Sequence, residues 1–188
     1  PSLRWQTKRG VSQFSLGPYL QYVNLQENAD RFISQDQVAG LPEEAFNSNK
    51  YVGLKANYSL SKIDQPAFPT RGVSFNFTPS YNVNIDDSNE SFTQLQGDIM
   101  LYNFLWIPKP FVLATKIQWG VNWGNNYNFF QANYLGRSTG LRSFRDNRFG
   151  GRSSFAISND LRLPLFKRKN SALPFSFGVL GSLDHGRV

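Results

Sequence analysis

The 188-residue sequence contains no cysteine, a single histidine and a single methionine. Without cysteine there is no disulfide framework, no thiol nucleophile and no thiolate-bound metal. One histidine, His185, cannot furnish a histidine-ligated metal cluster, and it leaves no spare base for a Ser-His-Asp triad. No apolar run approaches the roughly 20 residues that a membrane-spanning helix requires. That excludes a helical membrane protein but not a β-barrel, whose strands cross with about 9–11 residues each. No catalytic site, metal or cofactor is expected of this chain. The net charge of +7 invites a nucleic-acid reading. However, the aromatics do not interleave with the arginines of the basic stretch, Arg137, Arg142, Arg145, Arg148, Arg152 and Arg162, in the way a stacking platform needs. It reads as the solvated face of a polar loop, and no nucleic-acid partner is expected.

What is abundant is aromatic: 17 Phe, 8 Tyr and 4 Trp, or 15% of the chain. The mean hydropathy is nevertheless −0.42. Period two reconciles these facts. From Val73 to Ile85 the odd positions are Val73, Phe75, Phe77, Pro79, Tyr81, Val83 and Ile85, while every even position is Ser, Asn or Thr. Successive strand side chains point to opposite faces, so one face is greasy and the other small and uncharged. A soluble sandwich usually puts Lys and Glu on its wet face. A wet face of Ser, Asn and Thr fits the lumen of a transmembrane barrel.

The same alternation recurs at Phe14–Tyr22, Val52–Leu60, Phe111–Trp123 and Phe155–Leu165. It predicts an all-β, antiparallel transmembrane barrel domain with about eight strands here. Short turns are expected at 9–10, 86–91 and 108–110, and a further turn at 61–72. Long polar loops are expected at 27–49 and 124–152, at the opposite barrel end. Tyr102, Trp106, Trp119 and Trp123 are expected near strand ends, where aromatic girdles sit. The chain runs from Pro1 to Val188, inside a strand, and the whole of 1–188 reads as a partial barrel domain.

An ordered set of short motifs sharpens this. Pro69-Thr70-Arg71-Gly72 leads into the cleanest strand; Tyr134-Leu135-Gly136, Leu141-Arg142-Ser143-Phe144 and Arg148-Phe149-Gly150-Gly151 follow; then come Asp160-Leu161-Arg162 and Leu183-Asp184-His185-Gly186. The set resembles the carboxy-terminal half of the BamA-like surface-antigen superfamily over about residues 50–188, which implies that these strands are half of a 16-stranded barrel whose closing strand lies beyond Val188. The resemblance implies a long loop, 124–152, that folds into the lumen with Leu141, Arg142, Ser143 and Phe144 at its tip. It also implies that acidic residues on the inner wall, Asp160 and Asp184, hold Arg142. Gly136, Gly150, Gly151, Arg162 and Gly186 complete the pattern. Strand parity supports the pairing independently, because Asp160 shares its face with Ser154 and Ser158, and Asp184 shares its face with Ser176, Gly178 and Ser182.

Three residues depart from the family pattern. Ser143 replaces a tip glycine, Ser182 replaces a phenylalanine, and Arg137 replaces the second glycine of a Leu-Gly-Gly run. These changes weaken the expectation of full insertase activity more than they weaken the fold. The resemblance implies protein insertion or translocation in a bacterial outer membrane. Its partners would be membrane lipid, unfolded client proteins and accessory assembly subunits. Two alternatives stay open: a membrane-anchoring or export barrel for an upstream phosphoesterase or lipase domain, and a passive porin.

Overall fold

The computed structural model describes residues 2–7, 10–24, 49–86, 91–106, 110–124, 127–168 and 175–188. The loop expected at 27–49 and most of the turns expected at 9–10 and 108–110 lie outside the described residues, as does the Trp106 side chain. The described residues form ten strands: β1 (Ser2–Thr7), β2 (Gly10–Val23), β3 (Asn49–Ile63), β4 (Gly72–Asn84), β5 (Ser91–Trp106), β6 (Pro110–Trp123), β7 (Asn133–Leu135), β8 (Phe149–Gly151), β9 (Ser153–Arg168) and β10 (Phe175–Arg187). Eight of them form one antiparallel sheet in the order β1-β2-β3-β4-β5-β6-β9-β10. The remaining two, β7 and β8, pair with each other inside the 124–152 connection. Strands of 13–16 residues run well past the usual soluble length of about 5–6.

The two faces follow the alternation. On the odd face of β4 and the even face of β3, Tyr81 is 50% and Leu54 57% exposed, while Ser80, Asn82 and Asn84 on the other face of β4 are buried. A polar face more buried than the apolar one is the reverse of a soluble sheet. The burial comes from segment 127–148, which lies against the polar face. There a Cβ on Gly120 would meet the Asn133 side chain at 2.3 Å. One polar pair interrupts the apolar face: Thr115 Oγ1 donates to Asn159 Oδ1 at 2.8 Å, so each partly satisfies the other.

Local irregularities have identifiable causes. The β3–β4 register is continuous on either side of Ala56 and Asn57 but lapses opposite Thr78 and Pro79, because proline has no N–H to donate. Asn57 Nδ2 bridges the lapse to Thr78 Oγ1 at 2.8 Å. In β9 the register against β10 shifts by one between Gly178↔Pro164 and Phe177↔Phe166. Leu165 is therefore a bulge residue, and Phe166 turns to the same side as Phe175 and Phe177, with ring centroids 5.5 and 5.9 Å away.

Three sequence expectations change. The connection at 86–91 joins β4 to β5 at the end where β3 begins and β6 finishes, so it shares the end of the long loops instead of opposing them. At the other end, the turn that lies wholly within the described residues is Asp64–Arg71. Trp119 lies within β6, packed flat over Gly97, where a Cβ would sit 2.4 Å from its ring. An indole needs a glycine opposite it to lie that close, which is why it leaves the girdle. Tyr102 lies on the polar face, buried under the Arg162 guanidinium at 5.8 Å, because its even position in β5 points it there. Trp123, at the end of β6, is 69% exposed.

One carboxylate organises the β3–β4 turn. Asp64 Oδ1 accepts from the backbone N–H groups of Gln65, Thr70 and Arg71 at 2.9–3.1 Å, and the Thr70 hydroxyl donates to Oδ2. The hydroxyl bond first, and then the backbone N–H bonds, hold its carboxyl well below the usual range. A depressed folded-state pKa means the contribution is complete above the ordinary aspartate value near 3.9 and is lost only as pH falls through the lower one. Asp64→Ala should therefore abolish hydrogen-exchange protection of the Thr70 and Arg71 amides without affecting β4. In the unmutated protein, NMR should show that protection persisting as pH falls through 4 (the ordinary aspartate value, about 4).

Candidate functional site

The connection between β6 and β9 is built as two anchored stages. Just past β6 comes a neutral lattice. Asn122 Nδ2 donates to the Gln131 carbonyl at 2.8 Å, and Gln94 Nε2 donates to Asn122 Oδ1 at 3.0 Å and to the same carbonyl at 3.3 Å. Asn133 Nδ2 reaches the Arg152 carbonyl at 2.9 Å, and Asn128 Nδ2 reaches the Tyr51 hydroxyl at 2.7 Å. Asn122 and Asn133 are almost fully buried, so these amides have to find partners within the protein. A single 3-10 turn at Phe129–Gln131 presents the carbonyl that they share.

The second stage is the tip. Leu141 is buried against Leu135 and Ala156 and carries Arg142 inward. The Arg142 Nε donates to both Asp184 oxygens at 3.0 and 3.2 Å, and its Nη2 meets Asp184 Oδ1 at 2.5 Å. Its Nη1 meets Asp160 Oδ1 at 2.7 Å, and even its backbone N–H donates to Asp184 Oδ2 at 3.1 Å. One planar guanidinium thus grips Asp184 side-on and Asp160 end-on, a geometry that a lysine cannot copy. Asp160 is on β9 and Asp184 on β10, at diagonal positions (Ser182↔Asp160, Asp184↔Ser158). Arg162 approaches the second Asp160 oxygen at 3.8 Å and lies over the rings of Phe68 and Tyr102.

The glycines serve the approach. Gly140 has φ +97°, and a Cβ there would meet Ala156 at 2.6 Å, so only glycine suits both the backbone and the wall. A Cβ on Gly136 would meet the Arg145 carbonyl at 2.3 Å. Gly150 lies under the Tyr134 ring, Gly151 beside Val188, and Gly186 beneath Leu135 and Leu141. Phe144 stays half exposed and packs edge-on to Phe149 at 5.1 Å. Among the described residues, Ser143 is not in the left-handed region, so the tip turn does not demand the glycine it replaces. His185 and Asp184 are adjacent in β10 and point to opposite faces.

Two contributors went unread in the sequence. Ser182, taken there as a loss, donates its hydroxyl to Asp160 Oδ1 at 3.0 Å. Its even position in β10 was the signal. Asp146 accepts from the Ser138 N–H and hydroxyl at 2.8 and 2.7 Å, bonds that hold its carboxyl below the usual range and close the tip loop. No sequence pattern marked that pair.

Arg142→Lys should keep the charge but lose the side-on grip on Asp184. With the Arg142 side chain 39% exposed, the loss should be about 1–2 kcal/mol, at the low end of values for charge-assisted bonds. In limited trypsin digestion this variant should be cut several-fold faster at Arg145 and Arg148 than the unmutated protein, with the sheet left intact.

Residues 7–186 match the Omp85 superfamily domain, while no curated protein matches the chain. This domain is a non-catalytic assembly or transport barrel of an outer membrane, bacterial or organellar. The eight-stranded sheet is accordingly wall of a transmembrane β-barrel, its apolar face toward lipid and its polar face toward the lumen. Over nearly its whole length, the chain belongs to the Omp85 superfamily.

Proposed function

We propose that this barrel inserts or assembles client proteins in the outer membrane, with Arg142 as the brace that holds the inward loop to the wall. Family membership points to outer-membrane protein assembly or translocation. The observation favouring an active wall over a passive pore is the shared guanidinium, which ties loop, β9 and β10 together at one point. The work required is physical, with no covalent step. A strand edge offers unpaired N–H and C=O groups to an unfolded client, which adds by β-augmentation. A wall that offers such an edge must stay in register beside it, and the brace supplies that rigidity.

In cells dependent on this protein, Arg142→Ala and the double change Asp160→Asn/Asp184→Asn should each lower the amount of folded outer-membrane protein several-fold. The variant barrel itself should still insert, as shown by its heat-modifiable mobility on gels. Normal assembly of clients by either variant would overturn the reading and leave the chain as an anchoring or export barrel.

A further inference from the structure

Between the loop and the inner wall lies a cavity of about 180 Å³, room for several waters or a small anion. Its lining is charged unevenly. Lys116, Arg137, Arg142 and Arg162 all border it, against one lining carboxylate, Asp160, which Arg142 grips together with Asp184. Arg162 has the remaining Asp160 oxygen, two aromatic rings and the Pro69 carbonyl. Lys116 and Arg137 form no ion pair with any described residue. Arg137 acts on Asp146 only through space, and that carboxylate is already bonded to Ser138.

These two cations come from opposite sides. Lys116 stands on the β6 wall, between Met100 and Ser158 in the register. Arg137 opens the 3-10 turn Arg137–Thr139 on the loop, where the family pattern has glycine. The next inward residue of β6, Gln118, lines the same cavity, and its amide oxygen has no hydrogen-bond partner. A half-turn of that amide presents its NH2 donors instead. Lys116 has Asp98 and Asp160 at diagonal positions on the same face, yet neither forms an ion pair with it, and two cations lining one partly enclosed cavity favour an anion between them.

We propose that this cavity binds a tetrahedral oxyanion, a phosphate or phosphoryl head group, bridged by Lys116 on the wall and Arg137 on the loop, with the Gln118 amide as a further donor. A phosphoryl group with about −1.5 to −2 charge at neutral pH matches two free cations better than a carboxylate does. The bound anion adds a link from loop to wall on the β6 side of the cavity, away from β10. This site stands independently of the client-assembly reading, since it concerns occupancy alone.

The full-length protein, purified in a neutral detergent at fixed ionic strength, tests it by thermal unfolding against inorganic phosphate. The expected result is a saturable rise in Tm. Lys116→Gln and Arg137→Gln should each raise the half-saturating phosphate about tenfold or more. Lys116→Arg should preserve the response and covers the case in which Lys116→Gln fails to fold. Lys50→Gln, on the opposite face, should change nothing. A second arm replaces phosphate with micelles doped with phosphatidic acid or phosphatidylcholine. Stabilisation by phosphatidic acid alone assigns the site to a lipid head group, and a saturable response to phosphate assigns it to the free ion. No saturable response in either arm, or an equal response in the Lys116→Gln/Arg137→Gln double variant, overturns the proposal.

Discussion

Two carboxylates on adjacent strands, diagonal to one another on one face of a sheet, repel. Asp160 and Asp184 occupy such positions, and on their own they would loosen the β9–β10 pair. The Arg142 guanidinium turns the repulsion into a bond by donating to both at once. The dependence is mutual. The loop needs the aspartates to stay inside, and the aspartates need the loop to be tolerated side by side. Leu141, Gly140 and Gly136 serve this contact by bringing the loop backbone to the wall.

The loop's two anchors differ in kind. The Asn122–Gln131–Gln94 lattice is neutral, buried and indifferent to salt. The tip is ionic and partly hydrated, so ionic strength weakens it first. A loop held this way can release its tip while its base stays fixed, which keeps the tip close enough to re-engage. Local opening of that sort draws on the least protected part of a fold.

The wall was largely legible in the sequence because period two is a direct image of a two-faced sheet. Val73–Ile85 shows it in its cleanest form, and β4 spans Gly72–Asn84. Parity also put Asp160 and Asp184 on one face. What it missed were places where parity breaks or a neighbour decides. The Leu165 bulge turns Phe166 outward, Gly97 admits Trp119 away from the strand ends, and Tyr102 serves Arg162 from inside the barrel. Each depends on a cross-strand partner, which spacing along one strand cannot reveal. Motif matching likewise treated Ser182 and Ser143 as defects. One adds a hydrogen bond to Asp160 and the other adopts an ordinary backbone.

Pro79 gives the wall a mechanical character that its chemistry alone would not suggest. Inside a membrane, strands are welded to their neighbours by backbone bonds that no solvent from the lipid side can replace. At the level of Ala56–Asn57 the ladder between β3 and β4 is interrupted, and an amide-to-hydroxyl bond from Asn57 to Thr78 crosses the gap. A side-chain bond can swing on its rotamers where a backbone ladder cannot. Under sideways load from a crowded lumen, the sheet therefore has a flexure line between β3 and β4, well away from the braced pair β9–β10, and curvature can change there without loss of register.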